Sequence, residues 1–161
     1  MKAMTWTVAA AVAGCASTGA ADVHITDLMP EEVPAEVRIL AAGAAEGFRI
    51  SGAQKKVRDG RTYFDVEGEL PDGRDLEFDI LVTPAGPEIV ETQRDIAWAD
   101  APELVRTAAP GVVPARVIES TQTDGTVIFE LFAPGLPADP SIEVLLGTDG
   151  KVRVLQERWP H

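Results

Sequence analysis

The sequence has a single cysteine, Cys15, and only two histidines, His24 and His161, among its 161 residues. One cysteine excludes an intramolecular disulfide, and two histidines leave little for acyl-transfer or zinc chemistry. We expect both histidines on the surface, because His24 lies at a predicted tether and His161 is the last residue of the sequence. GxSxG, P-loop, HExxH and CxxC motifs are missing. We therefore expect a protein that is not an enzyme, with no catalytic residues, no cofactor and no dedicated metal site.

Basic residues are also scarce. The sequence has 14 lysines and arginines against 26 aspartates and glutamates, which gives a formal charge of -12 at pH 7. The basic residues form no dense cluster, which argues against nucleic acid as a partner because phosphate binding needs a basic patch. A surface of this charge favours solubility and a basic or cationic partner. With 45% hydrophobic residues, the chain can bury one medium core or two small ones.

The apolar run at residues 3–13 is too short to span a bilayer. It follows Met1 and Lys2, and the letters VAGC at 12–15 match a lipobox. We therefore interpret residues 1–15 as a lipoprotein signal peptide and lipobox, with Cys15 as the lipidation site and 16–26 as a tether. The alternative is an ordinary secretory signal that is cleaved near Ala20.

Both interpretations place the mature protein outside the cytoplasm, in a bacterial cell envelope. Lipidation of Cys15 would anchor it to a membrane that it does not span, facing the periplasm. Ala16, in place of an aspartate after the cysteine, favours the outer membrane. Cleavage near Ala20 would instead give a soluble periplasmic or secreted protein.

Two stretches of the chain share one pattern. Residues 59–82 and 124–146 each open with a DG turn, and Phe64 and Phe129 follow these turns at the same distance. An acidic residue comes next in each copy, Asp65 in the first and Glu130 in the second. This correspondence predicts a duplicated module.

Apolar and polar residues alternate at 62–70 and 75–83, which predicts antiparallel strands with one covered and one open face. Apolar residues at helical spacing predict one helix that starts near Pro34 and another that starts at Pro102. Further strands are predicted at 48–58, 88–94, 115–123, 126–133, 142–146 and 151–159.

The predicted fold class is α+β. We expect two tandem α-β-β-β-β units, each a helix packed on one face of an antiparallel four-stranded sheet. The first unit spans 27–94 and the second 95–161. A unit of about 65 residues is close to the size at which a lone core is marginal. We therefore expect the two units to pack together, with one continuous sheet as one such arrangement.

These features resemble a known family. A helix with a proline at its start, then strands with the letters DG-xx-Y/F-x-V-E and a late DGKV, is similar to the PepSY and PepSY-like group of bacterial envelope domains. Within 62–67 lie the aromatic residue and the letters V-E that follow it, and 149–152 carry DGKV, whereas the first copy departs from the late motif at 85–88. The group includes peptidase propeptides and a similar tandem arrangement in a β-lactamase inhibitor protein. The resemblance implies a non-catalytic binding or inhibitory module in each half.

The open face of the first unit is predicted to be acidic. Like charges directly opposite one another destabilise a sheet, and a cation or a basic partner would relieve that cost. The alternative is a solvated face that is partly neutralised by Arg49, Lys56 or Arg74. The acidic face carries Asp65, Glu67, Glu69, Asp75, Glu77 and Asp79. The candidate cation-binding residues are Asp65, Glu67, Glu77 and Asp79.

The same face of the second unit is predicted to be apolar, with Leu145 at the position of Asp79. An exposed apolar surface usually marks an interface. The alternative is that this face is covered within the protein, by the other unit, by residues 134–140 or by Trp98. The candidate protein-binding residues are Ile128, Phe132, Leu145, Leu155 and Trp159.

From the sequence we expect a lipid-anchored, non-catalytic module that binds, and in one version inhibits, another envelope protein through the open sheet face. One alternative is a structural or assembly lipoprotein that self-associates through the same face. A second alternative is a cation-binding sensory module that uses the acidic face. In every version the membrane is contacted only through the lipid.

Overall fold

The computed structural model describes residues 23–136 and 139–158. In this part of the chain nine strands form one antiparallel sheet, and each strand pairs with the next one in the sequence. Two α-helices accompany the sheet, α1 (Ala35–Ala44) and α2 (Glu103–Ala108). The strands are β1 (His24–Leu28), β2 (Arg49–Arg58), β3 (Arg61–Glu69), β4 (Asp75–Thr83), β5 (Gly86–Ile96), β6 (Arg116–Gln122), β7 (Val127–Phe132), β8 (Ile142–Leu146) and β9 (Val152–Val154).

Each helix follows one short 3-10 turn, Pro30–Glu32 before α1 and Trp98–Asp100 before α2. Pro34 and Pro102 cap the two helices, where the missing N–H of proline costs no hydrogen bond. Neither of the described helices has the length and apolar character needed to cross a membrane.

The predicted division into two helix-plus-four-strand units is wrong. β5 continues past residue 94, where the first unit was expected to end, and pairs with β6 from Glu91↔Gln122 to Ile96↔Val117. The ladder of backbone hydrogen bonds therefore crosses the boundary between the repeats without a break. α1 and α2 have only 10 and 6 residues, so the sheet dominates the structure. Alternation along the sequence identifies a strand, but it does not say which strand lies beside it.

The sheet also has a strand that the sequence pattern did not predict. β1 begins at His24, within the segment 16–26 that we expected to be a tether. It pairs with β2, from His24↔Val57 to Leu28↔Ala53. Four of its five side chains are exposed, so burial does not impose the alternation by which strands are recognised.

The other strand predictions are largely confirmed. β4 and β8 have the predicted bounds, and the ends of β2, β3, β6 and β7 lie within a residue of the predictions. β5 is longer at both ends because it forms the junction with β6. β9 is shorter than the predicted strand at 151–159, since its ladder pairs only three residues with β8.

Both helices pack on the same face of the sheet, which we call the helix-covered face. α1 places Val37 in a first core with Phe64 and Val66 from β3. α2 places Val105 in a second core with Phe129 from β7. Burial of each such side chain contributes about 1.5–3 kcal/mol, which is what holds the short helices in place. The opposite surface, the helix-free face, carries the acidic residues.

Candidate functional site

The register between β3 and β4 brings carboxylates face to face. Asp65 lies opposite Asp79, and Glu67 lies opposite Glu77. All four residues share the helix-free face, because Phe64 and Phe78 next to them point into the first core. The predicted pairing of the two strands is confirmed, and with it the direct opposition of like charges.

Three of the four candidate cation-binding residues form a compact group. Oxygens of Asp65, Glu77 and Asp79 all lie within 4.8 Å of one another. Asp65 is 4% and Asp79 5% exposed, and Glu77 is half-buried. Oδ1 of Asp65 and Oδ1 of Asp79 accept no hydrogen bond from any residue that the structure describes. Glu67 is exposed and lies outside the group.

Lys56 on β2 supplies a positive charge to this acidic group. Its Nζ donates to Oδ2 of Asp65. Burial acts to lower the pKa of Lys56, but the hydrogen bond to Asp65 and the charges of Asp65 and Asp79 raise that pKa above its usual value. Lys56 therefore stays protonated. The sequence had suggested that Arg49, Lys56 or Arg74 would partly neutralise the acidic face, and Lys56 does so.

The other two basic residues pair elsewhere. Arg49 contacts Glu69 at 3.6 Å, and Arg74 contacts Asp72 at 2.8 Å. All four of these side chains are at least half exposed, so the two pairs add little stability. Lys56 is the one of the three that reaches the buried carboxylates.

Burial changes the protonation of the acidic group. Desolvation, together with the charge of Asp65, raises the pKa of Asp79 to about 8 and that of Glu77 to about 7. Desolvation also raises the pKa of Asp65, against the hydrogen bond from Lys56. Glu77 and Asp79 consequently exchange protons close to neutral pH, where carboxyl groups in water are fully ionised.

Sequence reasoning missed Glu91, a further buried carboxylate beside this group. A bulge between Asp79 and Ile80 shifts the register of β4 with β5 and puts Glu91 opposite Asp79. Glu91 is 4% exposed and accepts hydrogen bonds from Ser120 Oγ and from Gln93 Nε2 at 3.2 Å. No sequence pattern marks the bulge, so this position could not be predicted.

A groove of about 320 Å³ runs along the helix-free face from β3 to β6, next to the acidic group. Four acidic residues and two arginines line it: Glu67, Asp75, Glu77, Asp95, Arg94 and Arg116. Arg116, which also lines the groove, is held by Asp95 through hydrogen bonds of 2.7 and 3.0 Å. The groove therefore presents more negative than positive charge to solvent.

A smaller pocket of about 140 Å³ lies on the other side of the acidic group. Asp65 and Asp79 line it together with Lys56 and Tyr63. Ile25 on the edge strand β1 forms part of its rim and is 52% exposed. The pocket gives solvent a route to both buried aspartates.

The candidate protein-binding residues of the second half lie mostly inside the protein. Ile128, Phe132 and Leu145 are 0%, 5% and 6% exposed, so they do not form the exposed apolar surface that the pattern suggested. The alternative of a covered face holds at these three positions. Leu155 is half-buried, and Trp159 lies outside the described residues.

Arg116 covers part of this face, whereas Trp98 does not cover it as the alternative expected. The guanidinium carbon of Arg116 lies 5.4 Å from the centre of the Phe132 ring. Trp98 packs against the second core, which is on the opposite face, so it does not cover Ile128 or Leu145. The remaining predicted positions are His24, which is exposed on β1, and Cys15 and His161, which lie outside the described residues.

The positional match between the two copies also needs a correction. Glu130 lies opposite Glu143 in the β7–β8 pair, as Asp65 lies opposite Asp79 in the β3–β4 pair. Glu143, and not Leu145, therefore occupies the position of Asp79. The connection between the strands spans 133–141 in the second copy and 70–74 in the first, and this difference in length hid the register.

The fold and its site define a sheet protein with both helices on one face and an acidic groove on the other. No protein-family model, no curated protein and no solved structure matches this chain. The resemblance to PepSY-like domains rests on the residues quoted for it and stays a prediction.

Proposed function

We propose that this chain is an exported, non-catalytic binding module that holds a basic segment of another envelope protein in its acidic groove. The observation that carries the proposal is the groove from β3 to β6, whose wall brings together Glu67, Asp75, Glu77 and Asp95 on a face that neither of the two described helices covers. A lipid on Cys15 would keep the module at the membrane surface, on the side where such partners are found.

The charges of the groove favour a partner with lysine or arginine side chains. Glu67 and Asp75 are exposed, so a basic side chain can reach them without removing them fully from water. Arg116 is already paired with Asp95, and Arg94 contacts Glu119 at 2.6 Å. The positive charges near the groove are thus engaged, while carboxylates stay accessible. Such complementarity steers association and selects partners.

The raised pKa of Glu77 does not by itself indicate catalysis. Desolvation and the neighbouring carboxylates explain it, and structural clusters perturb pKa values as active sites do. None of the residues that line the groove is a histidine or a cysteine. We therefore favour binding over a reaction.

The test uses the full chain, immobilised, to capture proteins from an envelope extract. The groove variant is Glu67→Gln with Asp75→Asn. The control is Glu36→Gln with Glu103→Gln, which removes the same charge from exposed positions on α1 and α2. We expect the groove variant to lower capture of one defined protein about tenfold, and the control to leave that capture unchanged.

The captured protein also has to meet a chemical criterion. Cross-linking through a photoreactive residue at position 93 in the groove should label a segment that contains lysine or arginine. High salt should release the same protein, since exposed charges are screened over about 8 Å at physiological ionic strength and less at higher salt. Capture that survives the groove variant, or a labelled segment without basic residues, would disprove the proposal.

A further inference from the structure

We propose that Asp65, Glu77 and Asp79 form a binding site for a hard divalent cation, of which calcium is the ion to be tested. This inference goes beyond partner binding. The cation site shares Glu77 with the groove wall, but its two buried aspartates, Asp65 and Asp79, are not part of that wall.

The geometry of the three carboxylates fits a single ion. Their oxygens lie within 4.8 Å of one another. Calcium binds oxygen at 2.3–2.6 Å, so two ligand oxygens on opposite sides of one ion are about 4.6–5.2 Å apart. All three residues can therefore reach the same ion. The donors are all oxygens, which suits calcium or magnesium better than zinc or copper.

A second observation points to a ligand. Oδ1 of Asp65 and Oδ1 of Asp79 are buried, and no described residue donates a hydrogen bond to either atom. Buried polar atoms are normally satisfied, and an exception calls for a water, an ion or a functional reason. A cation between Asp65 on β3 and Asp79 on β4 would satisfy both oxygens at once.

The charge of the group matches a divalent ion. Three carboxylates and the ammonium of Lys56 leave an excess of two negative charges when all are ionised. Lys56 is bonded to Oδ2 of Asp65 and leaves Oδ1 for the ion. One divalent cation would make the set neutral and would remove the repulsion between Asp65 and Asp79, which lie opposite each other.

An ion also has a way in. The 140 Å³ pocket is lined by both aspartates and opens beside Tyr63. Tyr63 is the only tyrosine of the chain, so it provides a local optical probe.

The first test is calorimetric titration of the full chain with calcium chloride at pH 8, where the carboxylates are most ionised. We expect one site with a dissociation constant of about 0.1–1 mM, in the range of extracellular calcium modules. Asp79→Asn should weaken binding at least about tenfold. Asp59→Asn changes an exposed turn residue in the same way and should leave the affinity unchanged. No binding by the unmodified chain, or equal binding by Asp79→Asn, overturns the proposal.

The second test locates the ion. Terbium replaces calcium at oxygen sites and emits when a nearby aromatic ring is excited. We expect terbium emission on excitation of the chain, displacement by excess calcium, and loss of most of the emission in Tyr63→Phe with calcium affinity kept. Emission that Tyr63→Phe leaves intact would place the ion elsewhere and contradict the proposal.

The tests separate this site from the proposed partner groove. Asp79→Asn replaces a carboxylate by an amide of the same shape and removes one of three repelling charges, so the variant should fold. Thermal unfolding of Asp79→Asn without calcium checks this directly. If calcium binding fails while the Glu67→Gln, Asp75→Asn variant still loses its partner, the cation site is wrong and the proposed function stands.

Discussion

The carboxyl group of Asp79 is buried next to other carboxyl groups. It is 5% exposed, lies opposite Asp65 and is within 4.8 Å of both Asp65 and Glu77 through its oxygens. A buried charge is costly unless it is paired, and the nearby ammonium of Lys56 bonds Asp65. Asp79 therefore takes up a proton more easily than a free aspartate, or it binds a cation.

This protonation makes the stability of the protein depend on pH. In the unfolded chain aspartate and glutamate lose their protons near pH 4, whereas folded Glu77 and Asp79 keep theirs until about pH 7 and 8. The folded state therefore binds more protons between these values, and its stability falls as the pH rises. We expect the free energy of unfolding in urea, without calcium, to decrease from pH 5 to pH 8, by up to about 1.4 kcal/mol per pH unit for each group.

Variants assign this slope to the buried group. Asp79→Asn should flatten the decrease, and the exposed Asp59→Asn should not change it. Asp72, whose pKa the hydrogen bond from Arg74 lowers, titrates below this window. A free energy of unfolding that is constant or rises from pH 5 to pH 8 would contradict the assignment.

The charged groups that act on Glu77 and Asp79 are Lys56 on β2, Asp65 and Glu67 on β3, and Glu91 on β5.

At the scale of elements, Gly68 on β3 lies against β2, opposite Ile50. A Cβ atom on Gly68 would lie 2.5 Å from two atoms of the Phe48 ring and would also clash with the carbonyl oxygen of Arg49. Glycine is thus required by space and not by backbone angles. The Phe48 ring cannot yield easily, because it packs edge-to-face with the Phe78 ring at 5.1 Å between the ring centres.

We expect Gly68→Ala to destabilise the protein by about 1–3 kcal/mol, as overpacking does in other cores. Gly52→Ala is the matched control, since a Cβ on Gly52 in β2 meets nothing within 4 Å. Urea unfolding of both variants at one pH measures the difference. Equal stability of Gly68→Ala and Gly52→Ala would show that Phe48 moves aside.

The strands of this protein were the most predictable elements. Period-two alternation located β3 and β4 because Phe64 and Phe78 point into a core while Asp65 and Asp79 point away from it. The same argument failed for β1, whose side chains are mostly exposed, and for the bulge that places Glu91. Burial on one face creates the signal, so elements without such burial give none.

At the scale of the whole molecule, one continuous sheet joins the two cores. β5 pairs with β4 in the first half and with β6 in the second. The halves share backbone hydrogen bonds over six residue pairs, which a division into two independent units would lack. We therefore expect the protein to unfold in a single cooperative transition.

Ile80→Val tests this cooperativity. Ile80 is fully buried in the first core, and loss of one methylene should cost about 0.5–1.5 kcal/mol and lower the Tm by about 2–5 °C. Trp98 packs against the second core and reports on the other half. The measurement uses a background with Trp6→Phe and Trp159→Phe, so that Trp98 is the remaining tryptophan. We expect Ile80→Val to shift the unfolding midpoint seen by Trp98 fluorescence by the same amount as the midpoint seen by circular dichroism. An unchanged Trp98 midpoint would mean that the halves unfold separately.

The tertiary structure also decides which part of the helix-free face is accessible to solvent. The sequence pattern directed attention to the second copy, where the helix-free face is apolar. Ile128, Phe132 and Leu145 there are buried, whereas the groove that solvent reaches runs from β3 to β6 and is acidic. We therefore place the proposed function across the junction of the two copies.

The sequence by itself determined most strands, both helices, the duplicated pattern and the acidic character of the face that carries Asp65 and Asp79. These features depend on neighbours along the chain, through turn residues and the alternation of side chains. Only the tertiary structure decided that β5 joins β6, that Lys56 reaches Asp65, and that Glu91 lies beside Asp79. Such contacts depend on register and on burial between segments far apart in the sequence, and no local pattern encodes either.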